Sequence, residues 1–160
     1  MCSKPGCAGQ VVPAHRKQLE LTIRRHGWAC QGVLDDGPGY PGWSYTIGLA
    51  DQRRPEMIVI GLAHDTAREI FAQVIEEARS GLREWPGPGD QVDGLLCGSH
   101  SMRVVRVEPD LIRGGDWFHL AKQRRSGRFP AIQLVWPVRA NQFPDDASPE
   151  QPILGEIWWR

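Results

Sequence analysis

The sequence predicts a single α+β domain whose sheet is mostly antiparallel, with about five or six strands and two or three helices. Three strand-like segments follow one another in residues 28–62 without a helix between them, which favours antiparallel pairing of neighbours. A later segment, residues 67–78, places apolar residues at the spacing of an amphipathic helix. The resulting order, α-β-β-β-α-β-β-α-β, therefore favours this class over a doubly wound parallel sheet.

The length of the chain fits one domain. A chain of 160 residues buries roughly 70% of the surface that it exposes when unfolded, which is enough for a real core. Residues 1–12 are small and polar, and we expect them to form an irregular N-terminal arm. We expect residues 13–160 to form the single α+β domain.

The first half of the chain predicts a helix and three strands. Residues 13–26 suit a helix that starts at Pro13 and is ended by Gly27. Residues 28–36 alternate as in a strand, and residues 35–42 have the Gly and Pro content of a loop. The segments WSYTIGL and EMIVIGL, joined by DQRRP, predict two more strands. MIVI lacks polar alternation, so we expect that strand to be buried on both faces.

The second half predicts two helices and further strands. Asp65 is a candidate N-cap for the amphipathic helix, which Gly81 is expected to end. Two short strands are expected next, of which MRVVRVE has the clearer alternation. Residues 116–127 predict a short third helix capped by Asp116, and AIQLVWPV predicts the last strand. The Pro-rich acidic tail closes on the aromatic segment IWWR.

Charge and hydropathy argue against two classes of partner. The chain has 19 Lys plus Arg and 19 Asp plus Glu, so it lacks the basic excess that nucleic acid binding favours. It has no run of the ~20 apolar residues that a membrane-spanning helix needs. Its N-terminal residues lack the apolar middle of a signal peptide. We therefore expect no nucleic acid partner, no membrane partner and a cytoplasmic location.

The common signatures of catalysis and metal binding are absent from the sequence. The five His show no i, i+4 pair, and there is no HExxH, GxxxxGK[ST] or GxSxG. The GPGYPG loop has the spacing of GxGxxG, but it does not lead from a strand into a helix as a phosphate-binding loop must. Cys2 and Cys7 lack the second Cys/His pair that zinc sites usually bring, so we predict no metal site. Cys30 and Cys97 lie in strand-like segments and are expected to be core thiols. The sequence therefore names no reaction and no cofactor.

The distribution of tryptophan admits two interpretations. Five of the seven Trp lie at or beside the junction of a loop and a regular element: Trp28, Trp43, Trp85, Trp117 and Trp136. Such residues plug the ends of a small core in many proteins. Alternatively, indole rings wall a cleft in which a flat ligand stacks.

Several segments together resemble a bacterial family catalogued as domain of unknown function 4262. They are, in order, MCSKPGC, RRHGWACQGV, SYTIGL followed by PEMIVIGL, WPGPGD, AIQLVWPV and QPILG. The chain departs from the family pattern in its C-x4-C opening and in Phe143-Pro144-Asp145, where an aromatic-Pro-Trp step is usual. The resemblance implies a soluble single domain from a bacterium, and it brings no mechanism.

The family's signature positions and the aromatic pattern suggest a small-molecule site. The hypothesis is a cleft between the YTIGL and QLVW strands, lined by six residues: Trp43, Tyr45, Thr46, Glu56, Gln133 and Trp136. Glu56 and Gln133 are the two polar groups of these apolar strands that most need a partner. The alternative role of Glu56 is to accept hydrogen bonds from the backbone amides of the turn or from an Arg.

Two other functions stay open at this point. One is a protein-interaction module without catalysis, such as an immunity or accessory protein, in which the IWWR segment docks on a partner or on a second copy to form a homo-oligomer. The other is a flavin-binding small barrel, which rests on analogy with strand–turn–strand segments containing Thr-x-Gly.

Overall fold

The computed structural model describes residues 13–37, 41–95, 100–139, 142–145, 148 and 150–159. They form one α+β domain built on a six-stranded sheet. Its strands are β1 (Ala29–Val33), β2 (Trp43–Ile47), β3 (Glu56–Ile60), β4 (Gln91–Val92), β5 (Met102–Arg106) and β6 (Ala131–Val135). The α+β class and the single mixed but mostly antiparallel sheet are as the sequence predicts.

The strands lie in the order β1-β2-β3-β6-β5-β4. All neighbours are antiparallel except β3 and β6, which are parallel. Among the described strands β1 and β4 are the open edges, so the sheet does not close into the barrel of the flavin alternative. The four described α-helices are α1 (Pro13–His26), α2 (His64–Ser80), α3 (Pro109–Gly114) and α4 (His119–Arg125).

The helices cover the two faces of the sheet unequally. Helix α2 packs on one face, here called the α2 face, through Ala67, Ile70, Phe71, Val74 and Ile75. Helices α1, α3 and α4 contribute to the core of the opposite face, here called the α4 face. The central strand β3 is buried along its whole length, which confirms the prediction of burial on both faces. None of the described helices combines the length and apolar composition that crossing a membrane requires.

The helix ends confirm some predictions and correct others. Gly27 and Gly81 both adopt left-handed backbone conformations directly after α1 and α2. The prediction that Asp65 caps α2 is wrong, because the helix already begins at His64 and Ala63 precedes it without a side-chain cap. Helix α3 follows directly after the predicted strand MRVVRVE, in a segment for which no helix was predicted, and it begins with Pro109, whose fixed φ suits a first turn.

The last helix is shorter than predicted for a packing reason. The predicted helix covers residues 116–127, whereas α4 covers only His119–Arg125. It cannot begin earlier, because Phe118, directly before it, adopts a left-handed backbone conformation with φ 58°. That turn buries the Phe118 ring completely, with its centre 5.5 Å from the ring of Tyr45. Burial of a large aromatic ring thus outweighs the helical propensity of this short segment.

Candidate functional site

The predicted cleft between the YTIGL and QLVW strands is filled by another strand. Strand β3 lies between β2 and β6 and pairs with both. Tyr45, Ile58 and Gln133 are direct neighbours across these three strands. The six predicted residues therefore do not surround one hollow.

Thr46 and Glu56 belong to a closed cluster at the turn between β2 and β3. The Glu56 carboxylate accepts hydrogen bonds from Thr46 Oγ1 at 2.6 Å and from the backbone amides of Gly48 and Ala50 at 2.9 and 3.0 Å. Thr46 Oγ1 in turn accepts from the Met57 amide at 2.8 Å. We call these residues the turn cluster. Glu56 thus has the role that the sequence analysis gave as the alternative to ligand binding.

The protonation of Glu56 is shifted by its surroundings. Glu56 is 1% exposed, and burial raises its pKa from 4.5 to about 6, although the hydrogen bonds from Thr46 and the turn amides oppose that rise. Gly48 adopts a left-handed conformation with φ 109°, which turns its amide toward the carboxylate. The turn cluster therefore contains a buried carboxyl group that titrates nearer to neutrality than usual.

Tyr45 and Gln133 hold neighbouring segments in place on the α4 face. The Tyr45 hydroxyl accepts from the Leu120 amide at 3.0 Å, in the first turn of α4. Burial raises the pKa of this hydroxyl to about 12. Gln133 Nε2 donates to the Pro152 carbonyl at 2.8 Å, and its Oε1 accepts from the Leu154 amide at 2.8 Å. Gln133 therefore fixes the chain end against the sheet, where Gly155 lets the backbone pass close to the Arg106 carbonyl.

Trp43 and Trp136 line a large open groove. The groove has a volume of about 1130 Å³ and wraps around the free edge of β1, where β2 begins and β3 and β6 end. We call it the edge groove. It is lined by His15, residues 30–35, Gly37, residues 41–44, residues 61–64, Trp136 and Glu150.

The side chains of Trp43 and Trp136 are held in place by different kinds of contact. Trp136 Nε1 donates to the Ile60 carbonyl at 2.8 Å, and the side chain of Gln151 pairs with the Trp136 backbone amide and carbonyl, both at 2.9 Å. Trp43 packs on Trp117 with ring centres 4.6 Å apart. Its buried Nε1 has no hydrogen-bond partner among the described residues. Trp136 is therefore pinned by polar contacts, and Trp43 by apolar packing.

His64 is a polar side chain of the groove that has a hydrogen-bond partner on β2. Its Nδ1 lies 2.9 Å from the hydroxyl oxygen of Ser44, which is 1% exposed. The imidazole lies over Gly32, since a Cβ at Gly32 would sit 2.5 Å from Nδ1. Gly32 and Ser44 are direct partners across β1 and β2. Within the described part of the chain, Nε2 has no hydrogen-bond partner.

Cys30 lines the groove but is a poor nucleophile. Burial raises the pKa of its thiol to about 12, so the sulfur stays protonated at neutral pH. Among the described residues there is no group of three or more His, Cys, Asp or Glu side chains that could hold a metal ion. Cys2, Cys7 and Cys97 lie outside the described residues.

A second groove continues on the other side of His64. It has a volume of about 900 Å³ and runs between α1 and α2, sharing Cys30 and His64 with the edge groove. Its charged borders are mixed, with Arg68 and Arg79 facing the same groove as Glu69 and Glu76. Arg79 is already engaged by the His26 carbonyl and the Gln52 side chain.

The aromatic residues of the IWWR segment pack on the protein itself. The Arg103 guanidinium lies over the rings of Phe143, Trp158 and Trp159, at 4.0, 5.4 and 5.4 Å from their centres. Trp158 Nε1 donates to the Val104 carbonyl at 2.9 Å, and Trp158 is 42% exposed. A homo-oligomer formed through this segment stays a prediction.

A comparison with known protein families shows which family the chain belongs to. Residues 22–149 match the domain of unknown function DUF4262. The chain belongs to the DUF4262 family. The match includes both strands of the YTIGL…PEMIVIGL motif and the QLVW strand, while the opening Cys pair and QPILG lie outside it. No curated protein and no solved structure matches this DUF4262 chain.

The sequence pattern does not single out His64. The five His are scattered along the chain, and none has a partner at helical spacing. The pattern that points to it is indirect: small residues at Gly32 and Ser44, together with a His directly before the amphipathic helix. Only the register of β1 against β2 brings these three positions together.

Proposed function

We propose that this DUF4262 domain binds a small molecule in the edge groove. The observation that carries the proposal is the imidazole of His64, which Ser44 holds through Nδ1 at 2.9 Å in a groove that Trp136 borders on the same face of the sheet and Trp43 on the other. Binding sites for small molecules are concave and mostly apolar, with a few oriented polar groups. Trp43 and Trp136 are the two predicted site residues on which this proposal draws.

The location of the groove supports the same function. It lies beyond the carboxyl ends of the parallel pair β3 and β6, which is where open sheets with parallel strands commonly bind ligands. The loop after β3 contributes Gly61, Leu62 and Ala63 to the wall and leads directly into His64. A rigid sheet thus presents the groove residues on short connections.

The orientation of the Ser44–His64 pair favours binding over Ser-type hydrolysis. In Ser-His-Asp hydrolases the nucleophilic hydroxyl contacts Nε2, while an acid holds Nδ1. Here the hydroxyl of Ser44 contacts Nδ1, and Ser44 is almost fully buried. Ser44 therefore orients His64, and Nε2 is the atom available to a ligand.

A thermal-shift screen of metabolites, followed by calorimetric titration of each hit, tests the proposal. Gly32→Ala is the diagnostic variant, because its methyl group would displace the His64 ring. Gly114→Ala is the matched control, since a Cβ there meets nothing within 4 Å. We expect Gly32→Ala to weaken binding by about tenfold, the value of one good hydrogen bond, and Gly114→Ala to leave it unchanged. Equal affinity of both variants and the wild type would exclude the edge groove as the site.

A further inference from the structure

The chemistry of the edge groove also indicates what class of ligand it takes, an inference that rests on the proposed function. We propose that the ligand is a flat heteroaromatic compound, uncharged or basic, that carries no phosphate. Three properties of the groove support this class: the nature of its walls, the hydrogen-bonding capacity of His64 and the sign of its charges.

The walls of the groove suit a flat ring. Trp136, from the end of β6, lies with Leu62 on the same face of the sheet as His64, whereas Trp43, from the start of β2, lies with Val33 on the opposite face. Indole faces bind other aromatic rings by offset stacking or edge-to-face contact. Because Gln151 and Ile60 fix Trp136, this wall loses little side-chain entropy when a ring packs against it.

His64 can form a hydrogen bond with a ring nitrogen of the ligand whether or not that nitrogen carries a hydrogen. The Ser44 hydroxyl can donate to Nδ1 or accept from it, since a hydroxyl has one donor and two lone pairs. In the first case Nε2 carries the hydrogen and donates to the ligand; in the second, Nε2 accepts. A heterocycle with either a ring nitrogen or a ring N–H therefore finds a partner at Nε2.

The formal charges at the groove disfavour an anionic ligand. Its described lining includes two acidic residues, Asp35 and Glu150, and contains no Lys or Arg. The start of α2 is the feature that would favour an anion, by about two- to fivefold, but Asp65 in the first turn offsets it. The neighbouring groove at Arg68 and Arg79 is balanced by two Glu. Phosphate therefore finds no cationic pocket among the described residues of either groove.

Three matched pairs of compounds test this class: riboflavin and flavin mononucleotide, adenosine and its 5′-monophosphate, and pyridoxine and its phosphate. Binding is measured by calorimetry in low salt, where surface charges are least screened. We expect at least one pair to bind, with the phosphate-free member about fivefold or more tighter. The double variant Asp35→Asn, Glu150→Gln should reduce that preference to less than about twofold.

The outcomes separate this inference from the proposed function. Equal or tighter binding of the phosphorylated members in the groove would overturn the inference and leave small-molecule binding intact. Binding of none of the six compounds would overturn the heteroaromatic class, while the broader metabolite screen would decide whether the groove binds any ligand. An unchanged preference in the double variant would show that Asp35 and Glu150 do not set the selectivity, which also contradicts the inference.

Discussion

Ser44 and Thr46 are two hydroxyl residues on the same face of one strand, and their surroundings differ completely. The hydroxyl of Thr46 lies in the turn cluster, where it donates to Glu56 and accepts from the Met57 amide. The hydroxyl of Ser44 contacts His64, whose second ring nitrogen faces a groove. One end of β2 is thus closed on itself, and the other end opens onto a groove.

This difference teaches that a polar residue in an apolar strand is not by itself a sign of function. At the turn cluster the chain reverses within one short connection, and three donors converge on one buried carboxylate. At the edge groove the partner strand is the open edge of the sheet, and Gly32 leaves room for an imidazole. The local topology, rather than the residue type, decides which polar groups are left for binding.

The largest effect is expected from removing the carboxylate of the turn cluster. Glu56→Ala leaves a buried hydroxyl and the amides of Gly48 and Ala50 without their acceptor, at ~1–3 kcal/mol each. We expect the free energy of unfolding in urea to fall by about 3–5 kcal/mol. His64→Ala is the control, because His64 is exposed, and it should change stability by less than about 1 kcal/mol. If His64→Ala lowered the free energy of unfolding by as much as Glu56→Ala, the two ends of β2 would not differ in their contribution to stability.

A smaller effect is expected from the titration of Glu56. Its pKa in the folded protein is raised to about 6, so its stabilising contribution is fully present below pH 4.5 and is lost as the pH rises through 6. The loss is about 2 kcal/mol, since each unit of pKa difference is worth ~1.4 kcal/mol. Glu56→Gln keeps the shape without titrating, so the stability of the wild type relative to this variant should fall by that amount between about pH 3.5 and 7.5. A flat or rising difference would contradict the assigned environment.

The smallest effect on stability is expected at Ser44. Ser44→Ala removes one hydrogen bond to the exposed residue His64, so we expect a loss of no more than about 1 kcal/mol of unfolding free energy. Ligand affinity in the edge groove should nevertheless fall severalfold, because the imidazole loses its orienting partner. Thr46→Val is the comparison variant, and it should show the reverse: a clear loss of stability with ligand affinity preserved.

The sequence predicts much of the fold because its clearest patterns are local. The apolar run of β3 and the periodicity of α2 both follow from residues close together in the chain. Even the role of Glu56 was among the alternatives, because the carboxylate and the turn that it closes are neighbours in sequence. Helix α3 was missed, since six residues provide too few turns for a periodic pattern to emerge.

The location of the groove could not be predicted for a topological reason. The chain passes through α2, two strands and two short helices before β6 returns to pair with β3. Sequence order does not reveal that β3 separates the YTIGL and QLVW strands, nor that Gly32 and Ser44 lie opposite each other. The signature positions Tyr45 and Gln133 therefore suggested a cleft, whereas both are buried and hydrogen-bonded to neighbouring segments.

The measurement that tests the account most directly is a map of backbone amide shifts in ¹⁵N-labelled protein during titration with a ligand from the screen. The account predicts that the amides of Gly32, Ser44, Gly61 and His64 shift with the ligand concentration, while those of Gly48, Ala50 and Leu154 stay in place. Shifts centred on Gly48 and Ala50, with the edge groove unaffected, would contradict it.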